Sequence, residues 1–132
     1  MPPERFPPDN TREWLNRARS NLIRAKAKIP EVYLEDLCFE AQQAAEKAMK
    51  AVMIRRNIEF PYVHDLARLL SLLEEEGEEI PGVVRKAEEL TRYALVTRYP
   101  GIARPVSEQE YAEAVVLAEA VMQWAEEQLR RG

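Results

Sequence analysis

Three groups of residues have the types and spacing that chemistry needs. Gln43, Glu46, Lys47 and Lys50 stand three or four positions apart, so a helix would carry them on one face. Amide and ammonium donors there could line a pocket for a phosphate or a base. The same spacing also describes a solvated strip in which a Glu46–Lys50 pair contributes roughly 0.3–0.5 kcal/mol. His64 is the chain's one imidazole, so acid–base work near neutral pH falls to it or to a carboxylate with a strongly raised pKa. Its other reading, with Asp65 beside it, is a ring that caps or packs the start of a helix. The third group is Tyr93, Arg98, Tyr99, Pro100 and Arg104. Two tyrosines and two arginines on a proline-stiffened loop could stack a base and grip phosphate oxygens, or Arg98 could simply face the negative end of a helix.

Composition removes other chemistries. One His and one Cys, Cys38, do not make a zinc site of the usual His/Cys type, and four glycines form neither a Walker loop nor a dinucleotide fingerprint. Neither a metal nor a cofactor is expected. At 132 residues, 46% hydrophobic and 32% charged, the chain has the size and balance of one globular domain. No apolar run approaches the roughly 18 residues of a membrane span. The start, MPPERFPPDN, has no apolar leader, which with the single cysteine predicts a cytoplasmic protein. Residues 1–57 hold 11 Lys and Arg against 8 Asp and Glu, the rest 8 against 15, so the two parts carry +3 and −7. That split argues against sequence-blind binding to long duplexes and leaves room for a local phosphate site. Arg outnumbers Lys 14 to 5, which suits bidentate contacts to carboxylate or phosphate, or surface ion pairs.

The elements that must position these residues read as helices. Periodicity predicts an all-α, antiparallel up-and-down bundle of about five helices in a single domain, residues 10–132, behind a Pro-rich extended arm of residues 1–9. Asn10 with Glu13 resembles a capping box, and Trp14, Leu15, Ala18, Leu22 and Ala25 follow a helical period up to Pro30. A second helix, about Glu31–Asn57, carries Leu34, Leu37, Cys38, Ala41, Ala44, Ala45, Ala48, Ala51 and Val52 as a core seam. Phe39, Gln42, Glu46, Met49 and Met53 form another seam that mixes apolar with polar groups. A bundle this small seldom buries both sides of one helix, so this second seam is expected to meet another copy of the chain. Leu66, Leu69, Leu70 and Leu73 mark a third helix. A fourth runs from Pro81 with Val83, Val84, Ala87, Leu90, Ala94 and Leu95 inward, and Ser107 with Glu110 caps a fifth through Leu129. The second and fifth helices are expected to supply most of the core.

Three stretches, CFEAQQAAEKAMKAVM (Cys38–Met53), FPYVHDLARLL (Phe60–Leu70) and LTRYALVTRYP (Leu90–Pro100), resemble the HEPN family in order and spacing. The resemblance covers about residues 10–129 and implies a helical bundle that commonly dimerises. Many prokaryotic members are paired with a minimal nucleotidyltransferase as a toxin–antitoxin system, so a homodimer and such a partner protein are implied, with no membrane. The family is associated with nucleotide binding and with metal-independent RNA cleavage through an Arg followed four to six residues later by His.

This sequence has no His after Arg98 at that spacing, and His64 lies seven intervening residues beyond Arg56. The ribonuclease signature is absent as spaced, which leaves no catalytic residue assigned except His64 as a candidate. The positions matching the family's polar set, Lys47, His64, Arg98 and Tyr99, suit a base and phosphates, and none of them needs to titrate. The expected function is therefore a nucleotide-binding HEPN component of a nucleotidyltransferase pair. A ribonuclease toxin with a non-standard site around His64 and a non-enzymatic helical interaction module remain open.

Overall fold

A computed structural model of the chain is described over residues 1–94 and 105–131. It contains α1 (Thr11–Lys26), α2 (Leu34–Arg55), α3 (Leu66–Glu75), α4 (Gly82–Lys86), a 3₁₀ segment (Ala87–Ala94) and α5 (Glu108–Arg130). Among the described residues there is no strand, and the expected all-α class is what forms.

Side chains at the helix ends define the boundaries. Asn10 accepts the Arg12 N–H at 2.8 Å and starts α1. Neither bond of the expected box forms, because Asn10 takes the N–H of Arg12 rather than that of Glu13, and Glu13 turns to the N–H of Phe6 at 3.0 Å and so holds the arm. The full box appears at α5, where Ser107 and Glu110 each accept the other's backbone N–H at 3.1 and 3.0 Å. The C-terminus of α2 closes on Asn57, at a left-handed φ of 59°, with the Ile58 N–H on the Met53 carbonyl at 2.8 Å and the Asn57 N–H on that of Ile54 at 3.1 Å. Gly77 ends α3 in the same way.

α2 is the axis of the domain, packed against α1, α3, the 3₁₀ segment and α5. Ala41, Ala44, Ala45, Ala48 and Ala51 are fully buried, and their small side chains let neighbouring backbones approach closely. The second seam corrects the sequence reading. Gln42, Glu46, Met49 and Met53 are buried inside one chain and Phe39 is half-buried, so four of the five residues assigned to a dimer contact are interior. The physical reason is that four neighbours surround α2, which leaves little of its circumference for another copy.

The fourth helix also differs from expectation. Only Gly82–Lys86 is α-helical, after which the chain tightens into the 3₁₀ segment. Its buried residues Val84, Ala87, Leu90 and Tyr93 step by three, the period of a 3₁₀ turn. Val83, expected inward, is exposed. α1 and α5 lie antiparallel: the Tyr111 hydroxyl donates to the Ala25 carbonyl at 2.6 Å, and Arg19–Glu126 and Lys26–Glu119 pair across the seam at 2.8 and 3.1 Å.

Candidate functional site

The polar face of α2 is built around one buried carboxylate. Successive turns place Gln42, Glu46 and Lys50 in a row that runs under the segment between α2 and α3. Glu46 Oε1 accepts from Gln42 Nε2 at 3.0 Å and lies 2.9 Å from His64 Nδ1, while Oε2 accepts from Lys50 Nζ at 2.9 Å. Glu46 and Lys50 are only 4% and 5% exposed. Burial alone would push the Glu46 carboxyl up. The hydrogen bonds from Lys50, Gln42 and His64 together outweigh burial and hold it below the ordinary glutamate range. Aromatic rings cover the Lys50 ammonium, whose Nζ stands 5.1 Å from the Phe60 ring centre and 5.9 Å from that of Trp14. Those two rings meet edge to face at 5.5 Å.

His64 does not cap α3; Asp65 does, accepting the Ala67 N–H at 3.0 Å. The acidic partner of the imidazole is Glu46 rather than the neighbouring Asp65. A carboxylate oxygen accepts, so Nδ1 is the nitrogen that donates to it, and Nε2 is the ring nitrogen left for another partner on a side chain 49% exposed. This is the arrangement that orients an imidazole for proton transfer or for contact with a polar ligand.

Lys47 lies one position along α2 on the side toward α1. Its Nζ donates to Asn21 Oδ1 at 2.9 Å, and Asn21 Nδ2 in turn donates to Glu40 Oε1 at 2.7 Å. Burial depresses the Lys47 pKa, and the charges of Glu40 and Glu46 offset that only in part. The nearby carboxylates already have cations: Glu13 pairs with Arg17 at 2.6 Å, Glu40 with Arg24 at 3.0 Å and Glu46 with Lys50. Lys47 is thus the surplus positive charge of this region, hydrogen-bonded to a neutral amide.

The structure therefore puts His64 on Glu46 and turns Lys47, the next residue along α2, toward Asn21 of α1. Arg98, Tyr99 and Arg104 lie outside the described residues. Tyr93 is buried beside Cys38, one turn before Gln42 on α2; burial pushes the Cys38 thiol up to about 11 while a hydrogen bond with Tyr93 pulls the opposite way, so this buried thiol is not activated. Trp14, Phe60 and Asn21 were missed as site residues. Trp14 falls in the first helix's apolar stripe by spacing, and the signal that sets it apart is the polar Arg17 and Asn21 interrupting that stripe. Among the described residues no cluster of three or more His, Cys, Asp or Glu could hold a metal ion, and no helix is long and apolar enough to cross a membrane.

Fold and site define a small all-α domain with a buried carboxylate shared by an imidazole and an ammonium. The HEPN domain model matches residues 11–128, and the chain belongs to that family. Two solved structures are similar to it. One is TT1696 from Thermus thermophilus, at 33% identity and a TM-score of 0.79 over 89% of this chain and 97% of that one. The other is ST0689, an archaeal HEPN homologue, at 25% identity and a TM-score of 0.73 over 90% and 97%. No curated protein matches.

Proposed function

We propose that this HEPN domain binds a nucleotide, with Lys47 and His64 meeting its polar groups and Arg98 and Tyr99 completing the site. In this reading it is the HEPN component of a toxin–antitoxin-type pair, a cytoplasmic prokaryotic homodimer acting with a minimal nucleotidyltransferase. The observation that carries the binding claim is the surplus Lys47 ammonium, half-buried among carboxylates that are already matched by Arg17, Arg24 and Lys50. A phosphate would supply the missing counter-charge through charge-assisted contacts.

Calorimetric titration with nucleoside triphosphates tests it. Wild-type protein is expected to bind, and Lys47→Ala to weaken binding about ten- to a hundredfold, the value of hydrogen bonds to a charged group. Absence of binding to any nucleotide at millimolar concentration overturns the reading. The homodimer is tested by light scattering, where a species of 15.3 kDa at all concentrations excludes it.

A second reading, ribonuclease chemistry at a non-standard site, draws on one observation: His64 Nδ1 is held 2.9 Å from buried Glu46, leaving Nε2 as the candidate base. His64→Ala separates the two. It abolishes cleavage of single-stranded RNA if the ring is a base, and weakens nucleotide binding only modestly if the ring is a contact.

A further inference from the structure

The N-terminal arm is tied to α1 by side chains of that helix. Trp14 Nε1 donates to the Pro8 carbonyl at 2.6 Å, Asn16 Nδ2 to that of Glu4 at 3.0 Å, and Glu13 accepts the Phe6 N–H at 3.0 Å. The arm and α1, with Lys47 of α2, line an open cavity of about 320 Å³ formed by Phe6, Pro8, Glu13, Trp14, Arg17 and Lys47. This is within the range of small-ligand sites, roughly 300–1,000 Å³. Two of its six lining residues are aromatic, and Trp14 is held by its bond to Pro8, its edge contact with Phe60 and the Lys50 ammonium over its ring. The lining charges are Glu13, Arg17 and Lys47. Both oxygens of Glu13 are engaged, one by the Phe6 N–H and one by Arg17 Nε. The net charge offered to a ligand is therefore positive and rests on Lys47.

We infer that this cavity takes a ligand that joins an aromatic ring to an anionic group, the ring against Trp14 and Phe6 and the anion toward Lys47. The inference rests on the nucleotide reading above and adds to it that the N-terminal arm forms part of the base pocket. Ring and anion are recognised separately: aromatic walls accept any flat ring with little selectivity, and the ammonium requires the charge. An aromatic nucleoside without phosphate, or phosphate without a ring, would each lose one of the two contacts.

Trp14 and Trp124 are the only two tryptophans, so Trp124→Phe leaves Trp14 as the single reporter beside the cavity. AMP, adenosine and inorganic phosphate are titrated against this variant by indole fluorescence, with calorimetry in parallel. The expected result is that AMP quenches the Trp14 emission and inorganic phosphate does not. Phe6→Ala, and separately removal of residues 1–8, should weaken AMP binding about tenfold, the scale of one lost base–aromatic contact. Neither change should alter the weaker binding of phosphate. Both variants retain Asn10, the cap of α1, and an unchanged melting curve confirms that the fold persists. If AMP binds calorimetrically with unaltered affinity in both variants and leaves Trp14 emission unmoved, the base lies elsewhere; the inference then fails while the nucleotide reading stands. If the wild-type protein binds neither AMP nor nucleoside triphosphates, the nucleotide reading fails and takes the inference with it.

Discussion

The alanine face of α2 and its glutamate face are both sealed inside the chain, but by different means. On the first, Ala41, Ala44, Ala45, Ala48 and Ala51 present nothing that needs a partner, and close approach of α1 and α5 completes the packing. On the second, Gln42, Glu46 and Lys50 bring amide, carboxylate and ammonium groups into the interior, where each must be matched by another of the set or by His64, Phe60 and Trp14. A buried ion pair gains little over apolar side chains of the same volume. Stability alone therefore gives no reason for the second face to be charged, while a site that must orient an imidazole does.

The contrast breaks most sharply at Ala48. Ala48→Glu puts an unpaired carboxylate at a fully buried position of that face, and the expected loss is about 4 kcal/mol or more, a large fraction of the roughly 5–15 kcal/mol that holds a domain folded. A melting temperature equal to that of the native chain would mean that this face is not dry. Met49, between the two faces, is likewise fully buried, which is why a charge there would act on folding rather than on association.

A smaller loss is expected at Glu46. Glu46→Ala leaves the Lys50 ammonium buried with only aromatic cover, at a cost of about 3 kcal/mol, and replacing both residues by Leu and Met should recover most of it. Urea melts of the single and double variants read this directly. The same carboxylate predicts the pH dependence. Its folded pKa lies below the ordinary glutamate value of 4.5, so the stability it contributes is complete above that value and is lost as pH falls below it. Glu46→Gln should flatten the fall in melting temperature between about pH 5 and pH 3, in a window set by the direction of that shift. An unchanged slope would mean that the acid sensitivity of the fold resides elsewhere.

The two faces were not equally legible in the sequence. The alanine seam, the Ser107–Glu110 cap and the α5 stripe follow from local spacing; the structure forms the cap, buries Tyr111, Ala114, Ala118, Val121, Met122 and Ala125, and leaves Val115 and Leu129 of that stripe half-buried. The glutamate face was also visible as a seam, yet its neighbour was misassigned to another copy of the chain. Periodicity shows which side of a helix is covered and says nothing about what covers it. Contacts such as Trp14 with Phe60 join positions far apart in the chain, and the Pro-rich arm has no periodicity at all, so the groove beside Lys47 could not be read from spacing. The 3₁₀ segment was written into the sequence as a step of three from Val84 to Tyr93, but the apolar residues around it mimic an α-helical stripe.

The smallest effect on stability is expected at Lys47, and it tells most about the second face. Lys50 and Lys47 are neighbours on the same helix, but Lys50 has a carboxylate at 2.9 Å and Lys47 only the Asn21 amide. Burial lowers the Lys47 pKa, so folding works against its charge at every pH where the unfolded lysine is protonated; this penalty fades only as pH rises through the folded pKa. Lys47→Met removes that penalty and leaves the buried Asn21 oxygen without its donor, two changes of opposite sign. The net change in unfolding free energy should therefore fall within about 1 kcal/mol of zero, measured by urea melts near neutral pH. A loss above about 2 kcal/mol would make Lys47 a structural strut of the same kind as Lys50. Near-neutral stability combined with loss of nucleotide binding would instead mark a cation kept for its ligand, since the fold gains nothing from holding it.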